Sequence, residues 1–168
     1  MNEVIRSEGL TKTYKDVMAV SDLSLNVNKG EIYGFLGLNG AGKTTTIRMM
    51  LGMIQADSGK VFLNGIKVRT KETDIWKDVG YLVEVPYAYP ELTVKENLEI
   101  IKRLRFIKET TAVSSIMEKL KLTKYANRNA KYLSLANTQR LGLAKALIYN
   151  PEILIIDEPD NGLDPAGS

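Results

Sequence analysis

The segment that most constrains the fold is glycine-rich and reads "GLNGAGKT", from Gly37 to Thr44. It fits the pattern G-x-x-x-x-G-K-[ST] and lies between the apolar stretch 31–37, predicted to be a buried strand, and a predicted helix that begins near Lys43. Glycines let successive backbone N–H groups turn inward around phosphate oxygens, and the start of a helix adds partial positive charge. The segment therefore predicts a P-loop that binds the phosphates of a nucleotide.

The side chains of this loop have distinct expected roles. Lys43 can reach the β and γ phosphates, and Thr44 can ligate Mg²⁺. The alternative interpretation, a glycine-rich turn with a surface lysine, is disfavoured by the strand and helix predicted on either side. The residues expected to contact nucleotide are Asn39, Gly40, Ala41, Gly42, Lys43, Thr44 and Thr45.

A second acidic element lies near the end of the chain, where "ILII" is followed by Asp157 and Glu158. Open parallel sheets bind ligands at the carboxyl ends of their strands. Asp157 is therefore the predicted Mg²⁺ partner through water, and Glu158 the predicted base or orienter of an attacking water. The alternative is a pair of solvated surface carboxylates.

Hydrophobic periodicity predicts an α/β core interrupted by a mostly helical insert. We expect the fold to have a P-loop core, with a mostly parallel sheet and flanking helices, and an N-terminal antiparallel part. Thr93 and Glu96 have the spacing of a capping box at the start of a helix. Further helices are predicted near 113–120 and 135–149, and strands at 59–65, 79–85 and 152–157. We expect one domain over 1–168, with an α/β core of 1–86 and 151–168 and a helical insert of 87–150.

Composition excludes several classes of protein. The chain has 168 residues, 44% of them hydrophobic, and a net charge of only +3, so no nucleic-acid partner is expected. It contains no cysteine and no apolar run long enough to span a bilayer, and its first ten residues lack the charged-then-apolar order that is typical of a secretory signal. We expect a cytoplasmic protein whose membrane role, if any, comes through another chain.

Three segments in this order, "GLNGAGKTT", "LSLANTQRLGLAKAL" and "ILIIDEPDNGLDPAG", resemble the ATP-binding cassette of ABC transporters. The resemblance covers essentially the whole chain. It implies ATP and Mg²⁺ as cofactors and a second cassette in a head-to-tail homo- or heterodimer. It also implies a separate transmembrane permease subunit, which would place the chain on the inner face of the membrane.

The same resemblance implies roles for three further residues. Tyr14 occupies the position of an aromatic that stacks on adenine, although an ordinary packing or surface tyrosine is the alternative. Asp164 belongs to the D-loop and faces a partner subunit. Glu84 occupies the Q-loop, where the family's glutamine contacts Mg²⁺, water and the transporter interface, and the alternative is a loop carboxylate in an ion pair. Glu84 and the sequence after it look most like the bacitracin- and lantibiotic-export branch, which implies export of peptides or drugs.

The signature segment departs from the family pattern L-S-G-G-Q or L-S-G-G-M. Ser134 can still cap a helix, and the resemblance implies that it contacts the γ-phosphate held by the other subunit. Leu135 and Ala136 place side chains where close backbone approach is expected. The alternative is a helix start packed in the core. Asp160 also replaces a commonly small residue.

The chain ends just past the D-loop, and its sequence contains no histidine, whereas the family continues to a switch histidine. We expect a cassette that is short at its C-terminal end. Three functions follow in order of support: an ATP-hydrolysing subunit of an ABC exporter, a hydrolysis-poor regulatory or vestigial cassette, and a soluble ABC ATPase without a transport role. The last is disfavoured because neither a long coiled coil nor a second cassette is present.

Overall fold

The structure is a computed structural model that describes residues 2–38, 40–69, 74–83 and 87–157. The chain divides into two compact units, an N-terminal unit of Met1–Lys77 and a C-terminal unit of Asp78–Ser168. The expected single domain with its helical insert stays a prediction.

The N-terminal unit is built on an antiparallel sheet with the strand order β2-β1-β3-β4. Its two long strands, β1 (Glu3–Tyr14) and β2 (Val17–Asn28), form a hairpin, and β3 (Ser58–Leu63) pairs with the other edge of β1. The short strand β4 (Ile66–Lys67) completes the sheet. This sheet confirms the predicted N-terminal antiparallel part.

Helix α1 (Lys43–Met50) follows the glycine loop and lies against β1, β2 and β3. The predicted apolar face is confirmed, since Ile47, Met50 and Leu51 are buried. The helix therefore fixes the loop's C-terminal end to the sheet.

The predicted strand at 31–37 is wrong. Residues 31–38 have no regular secondary structure, and the side chains of Ile32 and Leu36 are 100% and 93% exposed. A strand requires a neighbouring strand to pair its backbone groups, and the four-stranded sheet of the N-terminal unit does not include this segment. An apolar run alone does not supply that partner.

The C-terminal unit contains a parallel pair, β5 (Val79–Leu82) with β6 (Ile153–Ile156), in which Val79 lies opposite Ile153. Its helices are α2 (Val94–Leu104), α3 (Ala112–Lys119) and α4 (Leu135–Leu147). The predicted helices and the parallel arrangement are confirmed. The helical core consists of buried apolar residues spaced at helical intervals, among them Val94, Leu98, Val113, Ile116, Met117, Leu122, Leu141 and Ala144.

The predicted capping box begins α2. The Thr93 hydroxyl accepts a hydrogen bond from the Glu96 backbone N–H at 3.2 Å, and the Glu96 carboxylate accepts one from the Thr93 N–H at 2.8 Å. Two amides that would otherwise lack partners are satisfied, so the helix has a defined first residue.

No helix in the described part of the chain is both long and apolar enough to cross a membrane.

Candidate functional site

Two glycines give the loop before α1 its shape. Gly40 and Gly42 have φ angles of 83° and 82°, in the left-handed region that costs other residues free energy. Between them, the Ala41 N–H donates to the Leu38 carbonyl oxygen at 3.0 Å and closes a turn. The chain thus reverses its direction tightly just before the helix.

Gly42 is also confined by its surroundings. A Cβ added there would overlap the Ala19 carbonyl oxygen on β2 and lie 3.1 Å from Cγ2 of Val20. A Cβ at Gly40 would meet no atom within 4 Å. The two glycines therefore share a positive φ angle, but only Gly42 is in close contact with the sheet.

Lys43 folds back over the loop from the first turn of α1. Its Nζ donates hydrogen bonds to the carbonyl oxygens of Gly37 and Leu38 at 2.7 and 2.9 Å. Within the described residues, no side chain caps α1 at Gly42, and the first turn contains no acidic residue. The ammonium and the positive end of the helix thus lie beside the same loop, an arrangement suited to an anion.

The structure also describes the other residues of the N-terminal unit that are predicted to contact nucleotide. Thr44 and Thr45 are half-buried in the first turn of α1. Tyr14 lies at the end of β1 with 45% of its surface exposed, so it is not a core residue. The Lys12 ammonium is 5.5 Å from the centre of the Tyr14 ring and is held by Asp57, whose carboxylate it contacts at 2.7 Å. Tyr14 is therefore an exposed ring on a fixed strand end.

Asp157 directly follows β6 at the carboxyl end of the parallel pair. Its backbone N–H donates to the Leu82 carbonyl oxygen at 2.8 Å, which extends the pairing of β5 and β6 by one residue. Its surface is only 8% exposed. Burial of a carboxylate costs free energy unless it has a partner, so Asp157 does not fit the alternative of a solvated surface residue.

Ser134 is the N-cap of α4. Its hydroxyl oxygen accepts hydrogen bonds from the Asn137 backbone N–H at 3.4 Å and from the Asn137 side-chain amide at 3.0 Å. Leu135, the first helical residue, is 60% exposed. The start of α4 is thus a capped helix end with an apolar side chain at the surface. The contribution of Asn137 was not anticipated, although its position three residues after a serine cap was a readable signal.

Five residues singled out from the sequence lie outside the described residues. They are Asn39, Glu84, Glu158, Asp160 and Asp164. Their roles stay predictions.

The donor chemistry of the expected metal residues suits Mg²⁺. Thr44 offers a hydroxyl and Asp157 a carboxylate, both hard oxygen ligands, and Mg²⁺ often binds through one or two such groups together with water and substrate phosphates. In the part of the chain that the structure describes, no cluster of three or more acidic side chains forms a separate cation site. Each of these donors is of the kind that Mg²⁺ prefers, and their joint role as ligands of one ion stays a prediction.

The glycines at positive φ, Lys43 and the helix that follows them define a P-loop of the kind found in nucleotide-binding domains. Residues 20–161 match the family model described as ABC transporter, and the chain belongs to this family. The predicted ABC-type α/β fold and ATP-binding class are confirmed.

Comparisons with known proteins agree with this assignment. The chain is 44% identical over 167 residues to the bacitracin transport ATP-binding protein BcrA of Bacillus licheniformis, a match covering 99% of this chain and 55% of that protein. It is 42% identical over 167 residues to the BcrA protein of Enterococcus faecalis, covering 99% and 54%. These matches confirm the predicted resemblance to the bacitracin exporter branch. The chain spans about half the length of these curated relatives.

A solved structure supports the fold directly. It is the dimeric post-hydrolysis state of an ATP-binding cassette bound to ADP and Pi, with a TM-score of 0.86 and 25% sequence identity. The similarity covers 97% of this chain and 77% of that one. The bound nucleotide and the dimer are properties of that protein.

Proposed function

We propose that this chain binds ATP with Mg²⁺ at residues 37–45 and hydrolyses the nucleotide to power a transporter that exports peptides or drugs. The geometry around Gly42 and Lys43 carries the proposal. It combines a glycine at position 42 that leaves no room for a side chain, an ammonium held over the loop and the start of a helix without an acidic residue in its first turn. Phosphate oxygens are the ligands that all three features favour.

Binding requires Lys43 to change partners. In the structure its ammonium bonds to the carbonyl oxygens of Gly37 and Leu38, which carry partial negative charge. An incoming phosphate offers Nζ a full negative charge, and charge-assisted hydrogen bonds are about twice as strong as neutral ones. Lys43 would therefore shift from the carbonyls to the nucleotide, where it neutralises the β and γ phosphates.

The other residues have complementary roles in this proposal. The exposed ring of Tyr14 would stack on adenine, the hydroxyl of Thr44 would ligate Mg²⁺, and the carboxylate of Asp157 would hold the ion through water, as the family resemblance implies. Bound Mg²⁺ would neutralise charge on the phosphates. Glu158 orients the attacking water, and Glu84 links the site to a membrane partner, as the family resemblance implies.

The transport part of the proposal draws on the relatives. Two of them are named as ATP-binding proteins of bacitracin transport, which fits an exporter of peptides or drugs. The proposed assembly contains a transmembrane permease subunit and a second cassette facing Ser134 and Asp164, on the inner side of the membrane. Closure of two cassettes on ATP and reopening after hydrolysis would drive the permease.

A second candidate function is a cassette that binds nucleotide but hydrolyses it poorly. The exposed Leu135 favours it, because its side chain stands next to Ser134 at the surface that would face the partner's triphosphate. Placing an apolar group against a polyphosphate without compensation costs roughly 1–3 kcal/mol. Such a cassette would regulate a transporter rather than power it.

One experiment separates these functions. Titration calorimetry with ATP and Mg²⁺ measures binding, and phosphate release from the same preparation measures turnover. Binding with turnover that Glu158→Gln suppresses supports the hydrolysing subunit, whereas binding without turnover supports the second candidate. Absence of binding at millimolar ATP overturns both.

A further inference from the structure

A basic surface segment runs from the last residue of α3 toward α4 in the C-terminal unit. It covers residues 119–132, which we call the basic arc, and contains five cationic and no acidic residues. All five cationic side chains are exposed: Lys119, Lys121, Lys124, Arg128 and Lys131. The chain as a whole has 23 basic and 20 acidic residues, so a segment with basic residues only is a local excess of positive charge.

The backbone of the basic arc is anchored to the helical core. Leu122 is completely buried and Ala130 is 8% exposed, so both ends of the central stretch are tied to the interior. The Arg128 N–H donates to the Tyr125 carbonyl oxygen at 2.8 Å, and the Ala130 N–H donates to that of Leu92 at 2.9 Å. The charges therefore project from ordered backbone and require little further ordering to bind a ligand.

Most of this charge is not neutralised. Lys131 contacts the Glu91 carboxylate at 2.7 Å, and this hydrogen bond raises the pKa of Lys131. None of the other four cations contacts a carboxylate within the described residues. Unpaired positive charges on one ordered segment attract a polyanionic surface.

Two tyrosines lie among these charges. The Lys124 ammonium and the Arg128 guanidinium lie 5.1 and 5.2 Å from the centre of the Tyr125 ring. Tyr132 is 66% exposed, and the Lys131 ammonium is 5.1 Å from its ring centre. Tyrosine rings beside lysine and arginine side chains are typical of protein surfaces at the boundary between lipid headgroups and water.

We propose that the basic arc binds the surface of a membrane that contains anionic phospholipids. Juxtamembrane basic clusters bind such surfaces through the summed attraction of several charges, without a precise pocket. Single-stranded nucleic acid would instead require several exposed aromatic rings for successive bases to stack on, whereas Tyr125 is half-buried and Tyr132 is the one exposed aromatic ring of the arc. The preference for a membrane also rests on the proposed transport function.

The test is co-sedimentation of the purified chain with vesicles. Neutral phosphatidylcholine vesicles are compared with vesicles containing phosphatidylglycerol at the same total lipid. The arc variant carries K119Q, K121Q, K124Q and R128Q. A control variant with the same loss of charge carries K15Q, K60Q, K67Q and K108Q, all outside the arc. Circular dichroism and the ATP-dependent thermal shift are recorded for every protein.

We expect binding to the anionic vesicles only, and a fall in the partition coefficient of roughly tenfold or more in the arc variant but not in the control. Binding of the unchanged chain should also weaken as salt rises from 0.05 to about 0.15 M, where the screening length is about 8 Å. This salt titration tests the attraction even if the arc variant fails to fold.

Three outcomes overturn the proposal. They are no binding to anionic vesicles at low salt, equal losses in the two variants, and tighter binding of a single-stranded oligonucleotide than of the vesicles. If the vesicle experiment contradicts the proposal but the ATP-dependent thermal shift is intact, the proposed nucleotide site is unaffected. Loss of the ATP-dependent thermal shift with normal vesicle binding would overturn the nucleotide site and leave the membrane-binding surface standing.

Discussion

Gly42 lies directly against the Ala19 carbonyl oxygen, so that the start of α1 and strand β2 are in contact where the glycine loop ends. The left-handed φ of 82° and the close approach both require glycine.

Alanine substitutions at the two loop glycines separate these requirements. Gly40→Ala should cost about 1 kcal/mol of unfolding free energy, because it adds only the strain of a left-handed alanine. Gly42→Ala should cost a further 1–3 kcal/mol or so and abolish ATP-dependent stabilisation, because the added methyl group displaces the loop from β2. Urea denaturation and thermal shifts with ATP measure both effects. Equal behaviour of the two variants would show that the contact with Ala19 is unimportant.

Lys43→Ala should remove the increase in melting temperature that ATP with Mg²⁺ produces. The substitution deletes the ammonium that we expect to neutralise the phosphates, and a ligand stabilises the fold only in proportion to its affinity. Lys15→Ala, at an exposed position in the β1–β2 turn, is the matched control and should keep the full shift. Retention of the shift in Lys43→Ala would place Lys43 outside the site.

Ser134 can be tested for two roles with two substitutions. Ser134→Ala should lower the unfolding free energy by about 1 kcal/mol, because α4 loses its N-cap. Ser134→Asp should retain that stability, since aspartate is also a good cap, yet it should reduce ATP turnover if this position faces a phosphate. Denaturant unfolding and phosphate release distinguish the roles. Normal turnover in Ser134→Asp would limit Ser134 to capping.

The capping box predicts a specific pH dependence of stability. The Thr93 backbone N–H, and secondly its hydroxyl, donate to the Glu96 carboxylate and hold the pKa of Glu96 below its usual value. A carboxyl group with a lowered pKa in the folded state contributes stability above its unfolded pKa of about 4.3, and the contribution disappears as pH falls through the folded value.

Glu96→Gln should therefore reduce the loss of stability that occurs on acidification below about pH 4.3. Urea midpoints measured at pH 7 and at several values below pH 5 provide the comparison. Glu118→Gln, at an exposed position of α3, is the control for removing one helical carboxylate. If the urea midpoint falls equally below pH 5 in Glu96→Gln and in the unchanged chain, the hydrogen bonds to Glu96 do not persist in solution.

Some elements could be predicted because their determinants are local. Thr93 and Glu96 mark the start of α2 through their own hydrogen bonds, and Ser134 marks the start of α4 in the same way. The turn before α1 depends on two glycines at positive φ, a backbone conformation that glycine adopts at lower cost than other residues. Such features require only a few neighbouring residues, so the sequence is sufficient to locate them.

Other features depend on partners far away in the chain. The apolar stretch at 31–37 was predicted to be a strand, but it lacks a pairing partner in the sheet of its unit. The basic arc is a continuous run in the sequence that the small net charge of the whole chain hides, and only the fold shows that all five of its cationic side chains are exposed. Asp157 was expected at a strand end, but only the fold showed that its carboxylate is buried.

The amino-acid sequence alone determined the family, the order of helices and the presence of a phosphate-binding loop, because these follow from residue types at fixed short spacings. Tertiary structure decided that Gly42 packs on Ala19, that Leu135 is at the surface and that four basic-arc cations contact no carboxylate among the residues that the structure describes. These facts depend on distances between residues separated along the chain, which spacing does not specify.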